Sequence, residues 1–183
     1  KQPEYPFQTI LNEVILASKQ AGKAILDVYN SDTFDVQVKS DNSPLTRADL
    51  AAHLIIIENL QRKFPDIPCL SEESQGITFD QRSTWKHCFI IDPLDGTKEF
   101  IARNDEFTVN IAYVMEGKPL LGVIYAPVLD TLYYAAEGIG AFKQIGNSEA
   151  HTISVRHVQK KDGHNHFTVV ASRRHGLEHV ETL

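Results

Sequence analysis

The chain has 183 residues, 42% of them hydrophobic and 23% charged, with 18 Lys and Arg against 24 Asp and Glu for a formal net charge of −6. A chain of this size buries roughly 70% of its unfolded surface and needs no disulfide or metal staple to fold, and its composition excludes a disordered, fibrous or low-complexity protein. Net negative charge also speaks against non-specific nucleic-acid binding, and an anionic substrate would need a cation in its site.

Phe7, Ile10, Leu11, Val14, Ala17, Ala21, Ile25 and Val28 recur at helical spacing. They predict one long amphipathic helix up to Tyr29, ended by Asn30, Ser31 and Asp32. Val36 and Val38 alternate with polar neighbours and predict a short strand, followed by a turn-rich loop from Lys39 to Pro44. A second helix is expected from Thr46, with Leu50, Leu54, Ile57, Leu60 and Phe64 on one face and Pro65 and Pro68 closing it. The texture then changes to strands. Cys69-Leu70, His87 to Ile91, Phe107 to Met115, Leu120 to Tyr125 and Thr131 to Ala136 read as strands. Turns are expected at Glu116 to Pro119 and at Gly138 and Gly140, the latter before a strand at Ala141 to Lys143. Ile153 and Val155 predict a further strand, Gln159 to His166 a polar loop, Phe167 to Ala171 a buried strand, and Gly176 to Leu183 the opening of a helix. Two helices followed by a run of antiparallel strands is an α+β pattern.

Cys69 and Cys88 are too few for a disulfide framework and are not spaced as a zinc pair, which favours a reducing compartment. No signal peptide or transmembrane segment is recognisable. The longest aliphatic run, Leu54 to Ile57, is far short of the roughly 20 residues that span a bilayer. A first residue other than Met and an α/β element just opening at Leu183 predict a fragment or processed chain.

The chemistry concentrates in Ile91-Asp92-Pro93-Leu94-Asp95-Gly96-Thr97. An apolar strand runs directly into two carboxylates. Pro93 has no N–H for a ladder, so pairing is expected to stop there. Gly96 permits a tight turn, and Thr97 starts a short helix whose N–H groups could hold a phosphate. Two hard oxygen ligands on a rigid turn suit Mg²⁺. The competing reading is a strand-to-turn junction with an N-cap. Glu72, in Ser71-Glu72-Glu73-Ser74, is either a second acidic point or a solvated loop. Asp49 is either a site residue or the returning acid of a capping box with Thr46. Three carboxylate-bearing segment ends could converge on one cation, which would relieve their mutual repulsion. His164 and His166, His53, and the basic turn Ser172 to His175 carry weaker signals. His53 reads as a packed or partly exposed residue of the second helix.

Asp92-Pro-Leu-Asp-Gly-Thr97 resembles the signature of the inositol monophosphatase superfamily, Mg²⁺-dependent and lithium-sensitive phosphatases. With Lys98-Glu99-Phe100 it is similar to the branch of bacterial 3'(2'),5'-bisphosphate nucleotidases, since inositol phosphatases more often show Thr-Asn in place of Lys98-Glu99. Ser71 to Ser74, Asp41 to Thr46, Glu106 to Ile111 and Gly122 to Pro127 resemble segments of that branch in the same order. The resemblance implies a layered αβαβα sandwich. It implies Glu72, Asp92 and the Leu94 carbonyl around a first Mg²⁺, Asp92 and Asp95 on a second, and two or three ions in the intact family enzyme. It implies that Asp49 and Thr97 activate the attacking water, and that Glu72, Leu94, Asp95, Gly96 and Thr97 meet the substrate. Glu73 receives no role.

The implied reaction removes the 3'-phosphate of adenosine 3',5'-bisphosphate, giving AMP and phosphate, with the 3'-phosphorylated sulfate donor as a further substrate and a place in sulfur metabolism. The alternatives are an inositol monophosphatase-like sugar phosphatase and a non-catalytic nucleotide-binding fragment. A haloacid-dehalogenase-type phosphatase, with a nucleophilic aspartate, fits less well because its two aspartates stand one residue closer. The resemblance implies a cytoplasmic location, with peripheral contact at the bacterial inner membrane as a further option. It leaves the oligomeric state open. The family's further Trp-Asp-x-Ala-Ala-Gly motif is absent, Trp85 being followed by Lys86. Residues 1–146 are therefore expected to form an N-terminal metal-binding domain and 147–183 the incomplete start of a second, α/β domain.

Overall fold

The computed structural model describes residues 5–31, 36–38, 44–156, 159–161 and 164–166. The chain divides into two compact units, Lys1–Ile153 and Ser154–Leu183. The first is an α+β layer pair, in which helices α1 (Phe7–Tyr29) and α2 (Arg47–Lys63) lie on a seven-stranded sheet. That sheet runs in the order β3 (Cys69–Ser71), β4 (His87–Asp95), β5 (Thr108–Met115), β6 (Lys118–Ala126), β7 (Thr131–Ala136), β8 (Gly140–Ile145) and β9 (His151–Thr152). A small ladder of β1 (Gln37–Val38) and β2 (Pro44–Leu45) precedes α2. Two short helices, α3 (Phe79–Ser83) and α4 (Thr97–Ile101), flank β4 in sequence. The described residues thus supply an α and a β layer of the expected sandwich.

α1 matches its predicted span. α2 begins after Thr46 and buries Leu60 and the C-cap Phe64, as expected, but the first half of its inward face differs. Ala48, Ala52, Ile56 and Leu60 form its inward stripe, while Leu50 and Leu54 are exposed. Alanines win this face because two helices packed on each other and on a sheet need small residues at the closest approach. Size, not hydrophobicity alone, selects the stripe.

The sheet is mixed rather than wholly antiparallel, because β3 and β4 run parallel. Their C-terminal ends therefore lie side by side. The β5–β6 hairpin turns on Glu116 and Gly117, both at positive φ (50° and 75°), so Lys118 and Pro119 already belong to the strand. The strand expected at Ile153 and Val155 lies instead at His151–Thr152, paired to β8, and Ile153 and Val155 are exposed. The short helix α3, held by its own capping box between Thr78 and Gln81, has too little apolar periodicity to be foreseen. In the second unit, part of the expected polar loop is an antiparallel ladder of β10 (Gln159–Lys161) and β11 (His164–His166). The strand and helix expected after His166 lie outside the described residues.

The core gathers between the helices and the inward face of the sheet: Ile10, Val14, Ile25, Ile56, Leu60, Phe89, Ile91, Val109, Ile111 and Tyr113 are buried. α1 meets β6 so closely that a Cβ at Gly22 would sit 2.4 Å from Cε1 of Tyr125. That ring cannot swing away freely, since its hydroxyl donates to Asp130 Oδ1 at 2.8 Å. Helix propensity would favour Ala at position 22 by about 1 kcal/mol, but overpacking of this kind costs about 1–3 kcal/mol. Gly22→Ala is expected to lose stability on balance, lowering Tm by about 2–8 °C in calorimetry. An unchanged or raised Tm would show that the ring yields.

Candidate active site

The acidic turn grows out of β4. Asp92 pairs with Asn110 of β5, and Asp95 pairs with Thr108. Three steps on one strand oppose two on the other, so Pro93 and Leu94 together face Val109 as a β-bulge. Pairing is therefore interrupted at Pro93 but resumes at Asp95, contrary to the expectation that it ends. The bulge has a chemical consequence. In a regular strand, residues three apart point to opposite faces. Here the extra residue brings Asp92, Asp95, Asn110 and Thr108 to one face, while Pro93 and Leu94 turn into the core. Asn110 Nδ2 donates to Asp95 Oδ2 at 3.0 Å, and Thr108 Oγ1 donates to Asn110 Oδ1 at 3.0 Å.

Glu72 follows β3 directly, and its N–H donates to the Ile91 carbonyl at 3.0 Å. This bond continues the parallel ladder and carries Glu72 alongside Asp92. The Asp92 carboxyl is pushed up to about 7, first by burial, then by the charges of Glu72 and Asp95 and a hydrogen bond shared with Glu72, against the lowering effect of the Leu94 backbone. Among the described residues, Asp92 Oδ1 is the buried side-chain oxygen or nitrogen that has no hydrogen-bond partner. A buried carboxylate oxygen with no donor is a costly arrangement that a cation or a proton relieves.

Asp49 belongs to the first turn of α2 and is 1% exposed. The capping-box reading holds, and the second carboxylate oxygen reaches across to Thr97. Its Oδ2 accepts from the Thr46 N–H at 2.8 Å and the Thr46 hydroxyl at 2.6 Å, closing the capping box. Its Oδ1 accepts from the Thr97 hydroxyl at 3.1 Å, 48 residues away. Thr97 Oγ1 also lies 3.3 Å from the Leu94 carbonyl. Gly96 makes this turn possible: its φ is +97°, and a Cβ there would meet the Glu106 carbonyl at 2.9 Å. It serves as the N-cap of α4, which Thr97 begins.

The structure brings together Glu72, Asp92 and Asp95 by their fields, and Asp49 with Thr97 and Leu94 by contact. Among the described residues, no three His, Cys, Asp or Glu side chains close around a single point. Asp92 instead shares a hydrogen bond with Glu72, and Asp95 leans on Asn110. The orphaned oxygen of Asp92 and the hard-oxygen donor set nevertheless fit Mg²⁺. Asn110 and Ser71 escaped the sequence reading as site residues. The signal for Asn110 lies in register, since Thr108 and Asn110 occupy the face of β5 opposite to Val109 and Ile111.

A family model described as the inositol monophosphatase family matches residues 8–182. The 3'(2'),5'-bisphosphate nucleotidase CysQ of Salmonella typhimurium is 52% identical over 130 residues, covering 70% of this chain and 52% of the relative. The crystal structure of CysQ from Bacteroides thetaiotaomicron superposes with a TM-score of 0.78 at 39% identity, over 96% of this chain and 67% of that one. A structure described as an IMPase/NADP phosphatase complexed with Mg²⁺ and phosphate gives a TM-score of 0.65 at 26% identity, covering 74% of this chain and 51% of that one. The chain spans about half the length of the curated relatives it matches. Among the described residues no helix is long and apolar enough to cross a membrane.

Proposed function

The chain belongs to the inositol monophosphatase family, and on that premise we propose that it carries the metal site and water-activating pair of a 3'(2'),5'-bisphosphate nucleotidase. The reaction is hydrolysis of the 3'-phosphate of adenosine 3',5'-bisphosphate to AMP and phosphate. The observation that supports it best is the buried, partnerless Oδ1 of Asp92 beside Glu72 and Asp95. The similarity to curated nucleotidases at 52% identity supports the choice of substrate.

Glu72, Asp92, Asp95 and the Leu94 carbonyl would hold Mg²⁺. When bound, Mg²⁺ offsets the negative charge of the phosphate and lowers the pKa of water. The protein's own part is proton management and placement. The Thr97 hydroxyl gives its hydrogen bond to Asp49 Oδ1, which leaves lone pairs of Thr97 Oγ1 free to take a proton from water. Asp49 is held against rotation by two bonds from Thr46, so it receives the Thr97 proton without reorganising. The Gly96-Thr97 backbone would meet the phosphate at the start of α4, where Gly96 permits the tight turn against Glu106 and Phe107.

The test is phosphate release from adenosine 3',5'-bisphosphate and from inositol 1-phosphate, each with Mg²⁺ and with chelator. The expected result is AMP and phosphate from the nucleotide, faster than from inositol phosphate and only with Mg²⁺. Faster release from inositol phosphate would move the chain to the sugar-phosphatase reading. Mg²⁺-dependent nucleotide binding without turnover would limit the chain to binding. A trapped phosphoaspartate would overturn the water-activation mechanism.

A further inference from the structure

α2 reaches the site with two side chains. Asp49 touches Thr97 beyond β4. One turn later, at the four-residue spacing that puts side chains on one helix face, stands His53. Its Nδ1 lies 2.8 Å from the Ser71 hydroxyl. Ser71 is the last residue of β3 and 4% exposed, and Glu72 follows it. The turn 71–74 is closed on itself. The Ser74 N–H donates to the Ser71 carbonyl at 3.0 Å, the Ser71 N–H to Ser74 Oγ at 3.3 Å, and the Glu73 N–H to Ser71 Oγ at 3.4 Å. A turn that satisfies itself needs outside contacts to fix its aim. Its outside contacts include the Glu72 N–H to the Ile91 carbonyl and the His53 bond to Ser71. The first fixes the turn against β4, and the second fixes it against α2.

Burial lowers the imidazole below its usual range, which leaves one ring nitrogen as donor and the other as acceptor at neutral pH. With Nδ1 accepting, the Ser71 O–H donates to His53 while Ser71 Oγ accepts from Glu73. The Ser71 hydroxyl then donates to one partner and accepts from the other without conflict.

We propose that His53 is a positioning residue which, through Ser71, aims the Glu72 carboxylate at the bound cation. This deepens the proposed function and rests on its reading of Glu72 as a cation ligand. α2 then braces both halves of the site from one face: the water-activating pair through Asp49, and the metal carboxylate through His53. Partners that orient a metal ligand typically change metal affinity by about 10–100-fold when removed.

The experiment is Mg²⁺ titration by calorimetry on the purified chain, with Mn²⁺ electron paramagnetic resonance as a second readout and circular dichroism to verify folding. The variants are His53→Leu, His53→Asn, Ser71→Ala, the His53→Leu/Ser71→Ala pair, and Glu72→Gln. His53→Leu and Ser71→Ala are each expected to weaken Mg²⁺ by about 10–100-fold. The pair is expected to be no worse than either alone, because both remove one link. His53→Asn places a polar atom near the Nδ1 position and is expected to recover most of the affinity. If His53→Leu does not fold, Ser71→Ala and His53→Asn still decide the question. Unchanged Mg²⁺ affinity in Ser71→Ala, alongside a loss in Glu72→Gln, would overturn the role of His53 alone. Multiplying losses in the pair would do the same. An unchanged affinity in Glu72→Gln would overturn the metal-ligand reading itself.

Discussion

Asp92→Asn is expected to abolish Mg²⁺ binding at this site and, with it, hydrolysis of adenosine 3',5'-bisphosphate. The loss is expected to reach roughly 10³-fold or more, since charge stabilisation by a metal is worth several kcal/mol and each 1.36 kcal/mol is tenfold. The amide keeps the shape and the acceptor facing the Leu94 backbone but removes the charge. A second readout separates this from simple damage. The Asp92 carboxyl has an ordinary value of 3.8 and is pushed up to about 7 in the fold. For an acid raised in this way, the native state holds more protons than the unfolded one between those values. Its contribution to stability is therefore fully present below about pH 4 and is lost as pH rises toward 7. Metal-free parent protein is expected to melt at lower temperature at pH 8 than at pH 5, with Asp92→Asn nearly flat across that range. Mg²⁺ should then restore the parent at pH 8 and leave the variant unmoved. Full activity at saturating Mg²⁺, or a metal-free variant that melts below the parent at pH 8, would remove Asp92 from the site.

Thr97→Ala is expected to lower kcat by roughly 10²–10⁴-fold, the usual worth of general-base assistance, with little change in Mg²⁺ affinity. The hydroxyl donates to Asp49 Oδ1, and the proposed role gives it the attacking water rather than the cation. Thr97→Ser, which retains the hydroxyl, is expected to keep most of the rate. Asp49 is a poorer probe of the same step. Asp49→Ala would also leave the Thr46 N–H and hydroxyl without their acceptor. Loss of a helix cap costs about 0.5–2 kcal/mol by itself. An unchanged kcat with weakened Mg²⁺ in Thr97→Ala would reverse the assignment of roles.

Local rules carried the sequence reading a long way at the site. Thr46 and Asp49 are spaced as a capping box, and the box forms. Gly96 needed positive φ, and it has it. The strands around Glu116-Gly117 and Gly138 fell where apolar alternation and turn residues placed them. What stayed hidden depends on partners distant in sequence. Leu50 and Leu54 have the hydrophobicity of a buried face, yet Ala48 and Ala52 occupy it because α1 comes close. Pro93 is a strand breaker by its own chemistry, and the ladder resumes past it only because β5 offers Thr108 to Asp95. Asn110 and His53 look like ordinary polar residues until register and helix phase set them against Asp95 and Ser71. Local inferences such as the capping box and the turn at Gly96 hold, whereas the inner stripe of α2 and the ladder past Pro93 depend on a second segment's phase.

The bulge at Pro93-Leu94 also makes the site a matter of parity. Strand geometry counts residues in twos, and Asp92 and Asp95 share a side only because one residue between them goes uncounted. Substitutions at Pro93 or Leu94 alter packing but leave that count alone. Removing either residue would turn the bulge into regular strand and leave the two aspartates two apart, still on one side and still opposite Asn110 and Thr108, but without the bend that sets the Leu94 carbonyl 3.3 Å from the Thr97 hydroxyl. A shorter segment would hold the two carboxylates on one side just as well, so what the uncounted residue adds is the bend and the backbone carbonyl between them, although neither intervening residue presents a polar side chain to the site.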